Sequence, residues 1–220
     1  MDNTAKFIMD FQAFLKYLPK IEKETLPAVE AHVKLASFER ISALLNQSYD
    51  REGLRNAAVM MLAYPKNSKA YLALILRNAS TGVHSSQIAL PGGKVEPEDI
   101  NLEATALRET FEEIGVLPER IQVVRAFSEV YIPPSRFLVF PFLGVSQNEL
   151  TFDPSPDEVA KMIELPLEDL LDDSNLTVVP LKTSYSDEIE VPAFDLQGYI
   201  VWGATAMMLN ELKETIKRVL

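Results

Sequence analysis

The spacing of apolar residues along the chain changes repeatedly, and each change marks a different kind of element. From residue 2 to about 47 they recur at helical intervals, with Phe7, Phe11, Phe14, Leu15 and Leu18 on one side and a break at Leu26-Pro27. From Ala57 the spacing tightens into short continuous runs. Residues 57–62 and 71–76 predict buried strands joined by a hairpin loop at Pro65-Lys66-Asn67-Ser68. Helical spacing returns over residues 101–114. Beyond it, residues 121–124, 127–132 and 137–145 are strand-like, with a rigid turn at Pro133-Pro134-Ser135. Residues 158–165 predict a strand leading into a short helix opened by Pro166. Two further strands, 189–194 and 199–203, flank a Gln197-Gly198 turn, and a last helix runs from about 204 to 218.

The helix over 101–114 carries the candidate chemistry. Asp99 or Asn101 is suited to its N-cap, and Gly115 stands where a left-handed C-terminal cap belongs. At 100° per residue Ala104, Leu107, Phe111 and Ile114 make one apolar stripe, with Glu109, Glu112 and Glu113 on the opposite side. A simple solvated face is the bland explanation for three such acids. Two facts count against it. Like charges one turn apart repel by roughly 0.2–0.5 kcal/mol, and the trio sits at the negative end of the helix dipole, where cations are favoured. Arg108 reaches Glu112 at i+4 but cannot balance three carboxylates. Clustered hard oxygens suit Mg²⁺ or Mn²⁺.

Composition narrows the classes. The 220 residues, 47% of them hydrophobic, with mean hydropathy +0.02, describe a globular chain able to bury a core. No apolar run approaches the roughly 18 residues of a membrane span. The absence of cysteine removes disulfides and thiolate chemistry and fits a cytoplasmic protein. A net charge of −11 opposes binding to a nucleic-acid backbone, yet leaves room for a small metal-escorted anion.

Gly93, Asp99 and Arg108-Glu109-x-x-Glu112-Glu113-x-Gly115-Val116 together resemble the Nudix box, the motif of metal-dependent hydrolases of nucleoside diphosphates linked to another moiety. Asp99 stands where the common pattern has Glu, with one residue more before the arginine, as in the subgroup similar to coenzyme A pyrophosphatases. The frame His84-Ser85-x-Gln87-Ile88-x-Leu90-Pro91-Gly92-Gly93 is similar to a second signature of that subgroup, with Ser86 replacing its usual glycine. Trp202-Gly203-Ala204-Thr205-Ala206 is similar to its tail. The resemblance implies an α/β/α sandwich with a mixed sheet, here with a Nudix domain over 51–220. Residues 1–50 would be a helical extension, packed on the domain or used to form a homodimer.

The resemblance also implies roles. Glu109, Glu112 and Glu113 would ligate Mg²⁺ or Mn²⁺ together with the Gly93 carbonyl. Arg108, counted with the catalytic machinery, would hold Asp99 or Glu112 in place. The general base would come from outside the box: Glu158 stands at the corresponding place, with Glu129 as the fallback. His84 and Gln87 divide between loop hydrogen bonding and substrate contact, and the resemblance tips them toward substrate. Lys94 is a phosphate contact or a solvated lysine; Arg77 and Arg136 are further cations for an anionic substrate. The implied activity is diphosphate hydrolysis in coenzyme A or its thioesters, giving 4′-phosphopantetheine and 3′,5′-ADP. NADH, nucleotide sugars or nucleoside triphosphates are the alternative substrates, and a non-catalytic nucleotide sensor is the alternative class.

Overall fold

The computed structural model describes residues 9–46, 52–79, 87–181 and 189–220. Among these, eight strands form one mixed sheet. Its central strand is β1 (Arg55–Lys66), parallel to β7 (Phe137–Val145) and antiparallel to β2 (Lys69–Arg77). β3 (Ile88–Ala89) and β8 (Val159–Pro166) pair with β2. β4 (Gly92–Lys94) pairs with β1, and β5 (Gln122–Ala126) and β6 (Val130–Ile132) pair with β7. β1 is an unbroken apolar run because both of its faces are covered. Ala57, Val59, Met61 and Ala63 enter one core, whereas Ala58, Met60, Leu62 and Tyr64 enter another.

Helix α4 (Leu102–Ile114) covers the second of these cores, with Asn101 as N-cap and Gly115 in the left-handed conformation at φ 73°. The first core lies under α1 (Phe11–Lys23) and α6 (Gly203–Val219), which supply Phe11, Phe14, Ile21, Met207, Leu209, Leu212 and Ile216. This is the helix–sheet–helix layering expected from the sequence. The amino-terminal helices share that core. After α1 come α2 (Val29–His32) and α3 (Phe38–Asn46). The Arg125 guanidinium donates to the carbonyls of Ile21 and Glu24 at 2.8 and 2.7 Å, fastening the end of α1 to β5.

Several details differ from expectation. The hairpin turn is shorter: β1 and β2 run through Lys66 and from Lys69, and only Asn67 and Ser68, both at positive φ, make the reversal. Residues 127–129 stay out of β6, because the Ser128 N–H and hydroxyl are taken by the buried Glu211 carboxylate at 3.1 and 2.6 Å. A second sheet was not foreseen. There β9 (Leu176–Leu181), β10 (Ile189–Leu196) and β11 (Tyr199–Trp202) pair antiparallel, after the short helix α5 (Leu167–Leu171).

Candidate functional site

Gly92 and Gly93 both belong to β4, in register with Val59 and Ala58. Each is required for a different reason. Gly92 has φ +152°, and a Cβ there would overlap the Ala58 carbonyl and Val59. Its N–H donates to Glu113 Oε2 at 2.8 Å. At Gly93 the atoms nearest an added Cβ are those of the Glu109 carboxylate, which lies directly against the glycine. Gly92→Ala is therefore expected to cost about 3 kcal/mol, as backbone strain and a backbone clash combine, seen as a lower denaturation midpoint. Gly93→Ala should leave stability nearly unchanged, because a flexible side chain can yield, but it should lower activity by displacing Glu109.

The face of α4 that packs on the sheet is not the expected stripe. Thr105, Ala106, Thr110, Glu113 and Ile114 are buried, whereas Leu107 is half-buried and Phe111 is 45% exposed. The buried face is turned by roughly a third of a turn. The cause is Glu113 itself, a carboxylate carried inward to meet the Gly92 N–H and, at 3.2 Å, Arg77 Nη1. Burial raises its pKa to about 7. The Gly92 bond and Arg77 oppose that rise; the charges of Glu109 and Glu158 add to it. Burial likewise raises the Glu109 carboxyl, against the pull of Arg108, with Glu112 and Glu158 adding to the rise. Glu109, Glu113 and Glu158 thus share one electrostatic neighbourhood. Glu112 is about half exposed on the rim.

Arg108 organises this cluster. Its Nε and Nη2 grip both oxygens of Asp99 at 2.9 and 3.0 Å, and Nη2 also donates to the Lys94 carbonyl. Nη1 reaches Glu109 and Glu112, each at 2.9 Å. The arginine holds the Asp99 carboxyl far below the usual carboxylate range. Asp99 in turn accepts from Thr105 Oγ1 and the Glu96 N–H, tying the β4–α4 loop to the helix. Loop 151–158 docks on the other end of α4. There the Asp153 and Ser155 N–H groups donate to the Ile114 and Glu113 carbonyls at 3.0 and 2.9 Å. This clamp brings Glu158 to the site, and Asn78 N–H holds the Glu158 carbonyl at 2.9 Å.

Among the described residues, no three acidic, histidine or cysteine side chains are close enough as placed to hold a metal ion. Glu109 and Glu112 turn toward Arg108 instead. The donor set nonetheless suits a hard divalent cation: carboxylates, one of them buried without full compensation, beside the exposed edge of β4. Gln87 and Arg77 come to the same region, while Lys94 is exposed and Arg136 points to the Glu52 carbonyl at 2.7 Å. Glu129 is half-buried ahead of β6. His84 lies outside the described residues.

Next to this cluster, on the opposite face of the sheet from α4, is a cavity of about 530 Å³. Ala57, Val59, Val139 and Phe137 floor it, and α3, β10 and the start of α6 wall it. Trp202 is half-buried in that wall. Neither the cavity nor the part played by Ser37 and Arg40 was legible in the sequence, because α3 reaches it only through tertiary packing.

Residues 54–182 match the family model for the NUDIX domain. The chain is 31% identical over 163 residues to an uncharacterized Nudix hydrolase NudL of Photorhabdus laumondii, covering 74% of this chain and 86% of that protein. With the NudL protein of Enterobacter sp. it shares 31% identity, over 84% and 96% of the two chains. With the mitochondrial Nudix hydrolase 15 of Arabidopsis thaliana it shares 30%, over 86% and 67%. In fold it is similar to the crystal structure of the M. smegmatis Nudix hydrolase RenU, with TM-score 0.53, 18% identity and coverage of 75% and 87%. The chain belongs to the Nudix hydrolase family, and the mixed sheet between helices is the Nudix fold.

Proposed function

We propose that this chain is a Mg²⁺- or Mn²⁺-dependent diphosphatase acting on coenzyme A or its thioesters. The observation that carries the reading is the grouping of Glu109, Glu113 and Glu158 in one electrostatic neighbourhood beside Gly93, a residue that also lines the open cavity on the other face of the sheet. Diphosphate hydrolysis is the family's general chemistry; the choice of substrate rests on the residues flanking the box. Gln87 and Trp202 are both in the cavity wall, as a substrate-reading role requires.

The residues that would hold the ion are Glu109, Glu112, Glu113 and the Gly93 carbonyl. A divalent ion there supplies charge neutralisation and Lewis acidity at the diphosphate. Arg108 keeps its grip on Asp99 and so holds the β4–α4 loop in register throughout. Arg77, beside Glu113, offers a cation to the phosphoryl oxygens. Glu158 takes the proton from the attacking water, as an exposed carboxylate beside the acidic pair. The P–O bond to the bridging oxygen breaks, and each half departs with a phosphate.

Glu158→Gln tests the base. If Glu158 takes that proton, kcat should fall by about 10²-fold or more, far beyond any rise in KM. An unaltered kcat would transfer the role to Glu129. Substrate choice is tested by comparing kcat/KM for coenzyme A, dephospho-coenzyme A and NADH under Mg²⁺. Coenzyme A should lead. A tenfold preference for NADH, about 1.4 kcal/mol in transition-state binding, would leave the diphosphatase activity and remove the coenzyme A assignment.

A further inference from the structure

Glu158 reaches the site on a loop that is held at both ends. At one end the loop lies against the carboxyl end of α4. The Asp153 and Ser155 N–H groups donate to the Ile114 and Glu113 carbonyls, acceptors that a helix end leaves without partners of its own. The approach there is close, and a Cβ at Gly115 would come within 2.7 Å of the Asp153 Cβ. At the other end stands Asn78, the half-buried residue after β2. Its side-chain Nδ2 donates to the Pro156 carbonyl at 2.7 Å, and its backbone N–H to the Glu158 carbonyl at 2.9 Å. The strand pairing beside it is irregular. Arg77 lies opposite Val159 but Leu76 opposite Lys161, so Ala160 bulges from β8. A bulge bends its strand and re-aims the side chains next to it.

We infer that Asn78 is a positioning residue for the general base: its side-chain amide, by gripping the Pro156 carbonyl, sets where the Glu158 carboxylate stands relative to Glu109 and Glu113. The turn it grips has few other conformations open to it. The Pro156 ring fixes φ, and the Glu158 and Val159 N–H groups both return to the Ser155 carbonyl, at 3.2 and 2.9 Å. What remains to be fixed is how that turn sits against the sheet, and the amide of Asn78 supplies that contact. The same strand end carries Arg77, whose guanidinium meets Glu113 at 3.2 Å. The end of β2 thus registers the buried acid of α4 and the base-bearing loop against each other, although the two belong to distant parts of the chain. A general base works only within hydrogen-bond reach of the proton it takes, so a small shift of this loop acts on the rate and not on substrate binding. This inference rests on the reading of Glu158 as the base.

A double-variant cycle separates positioning from a merely structural role. It is run with Mg²⁺ on whichever of coenzyme A, dephospho-coenzyme A and NADH the unaltered chain cleaves fastest. Asn78→Ala should lower kcat by about 10–100-fold, the scale for displacing a reacting group by about 1 Å, and leave KM within about twofold. Asn78→Asp keeps the size of the side chain but removes the donor, and should lose as much. In a Glu158→Gln background, Asn78→Ala should cost no more than about twofold further, because the group it positions is already gone. Hydrogen exchange reads the same contact without turnover. Amides over 155–159 should exchange about tenfold faster in Asn78→Ala, while those of β1 keep the parent rate. Full kcat in either Asn78 variant overturns the inference, and so does unchanged exchange over 155–159. An equal loss with and without the Glu158 carboxylate overturns it too, because Asn78 would then act on the fold at large. The two readings fail distinguishably. Glu158→Gln at full kcat removes the base assignment and the role of Asn78 with it. A slow Glu158→Gln chain beside an Asn78→Ala chain at full rate removes the Asn78 assignment alone.

Discussion

Glu113→Gln will lower hydrolysis about a thousandfold while the variant melts no lower than the parent chain, and Glu109→Gln will do the same to activity. The rate loss follows from removing one charged oxygen from a preorganised site, where a single lost interaction costs about 10²–10³ in kcat and a lost metal ligand somewhat more. The stability result follows from burial. Glu113 is 1% exposed, and its raised pKa means that the folded chain disfavours its charge. An amide of the same shape avoids that cost and still accepts from the Gly92 N–H. Steady-state rates with Mg²⁺, paired with thermal melts, check both halves. Full activity in either variant would remove that residue from the metal set, and a chelator should reproduce the loss in the unaltered chain.

Glu211→Ala is expected to produce the largest loss of stability, about 3–5 kcal/mol, the usual cost of removing one partner from a buried charged network. Glu211, on α6, is fully buried and accepts four hydrogen bonds: from the Ala28 N–H, His32 Nε2, the Ser128 N–H and the Ser128 hydroxyl. It thereby fastens the amino-terminal helices and the entry to β6 onto α6. A loss of that size should lower the melting temperature by roughly 10 °C in a chain of this length. The pH dependence has a definite sign. Burial raises the Glu211 pKa, but the bonds from His32 and Ser128 outweigh it, and the net shift is downward. Its contribution is then present above the ordinary carboxylate pKa and is lost as pH falls through the depressed value. Melting temperatures of the two chains should converge in acid. A gap that persists below that range would assign the effect to packing.

The parts of this molecule that could be read from the chain are those encoded locally. β1, β2 and β7 were visible as apolar runs because both faces of the sheet are covered, and α4 was bounded by Asn101 and Gly115, whose capping roles depend on a few neighbouring residues. β9 was missed: it is an edge strand interrupted by Pro180, whose exposure alternates without a strong apolar side. The inward face of α4 was misjudged because periodicity counts Glu113 as polar and therefore outward, whereas the site draws it in. The acids of the box were legible as a cluster through their awkward place at a helix C-terminus. Their partners were only partly so. Arg77 comes from another strand, and no spacing along the chain links it to Glu113.

The proposed cleavage of a diphosphate in coenzyme A depends on the α4 carboxylates and β4 glycines. It is tested most directly by mass analysis of the products formed from coenzyme A and Mg²⁺. The expected products are 4′-phosphopantetheine and adenosine 3′,5′-bisphosphate in equal amounts, with neither formed when a chelator is present. Release of inorganic phosphate with dephospho-coenzyme A, or recovery of intact coenzyme A while another diphosphate is cleaved, would contradict it.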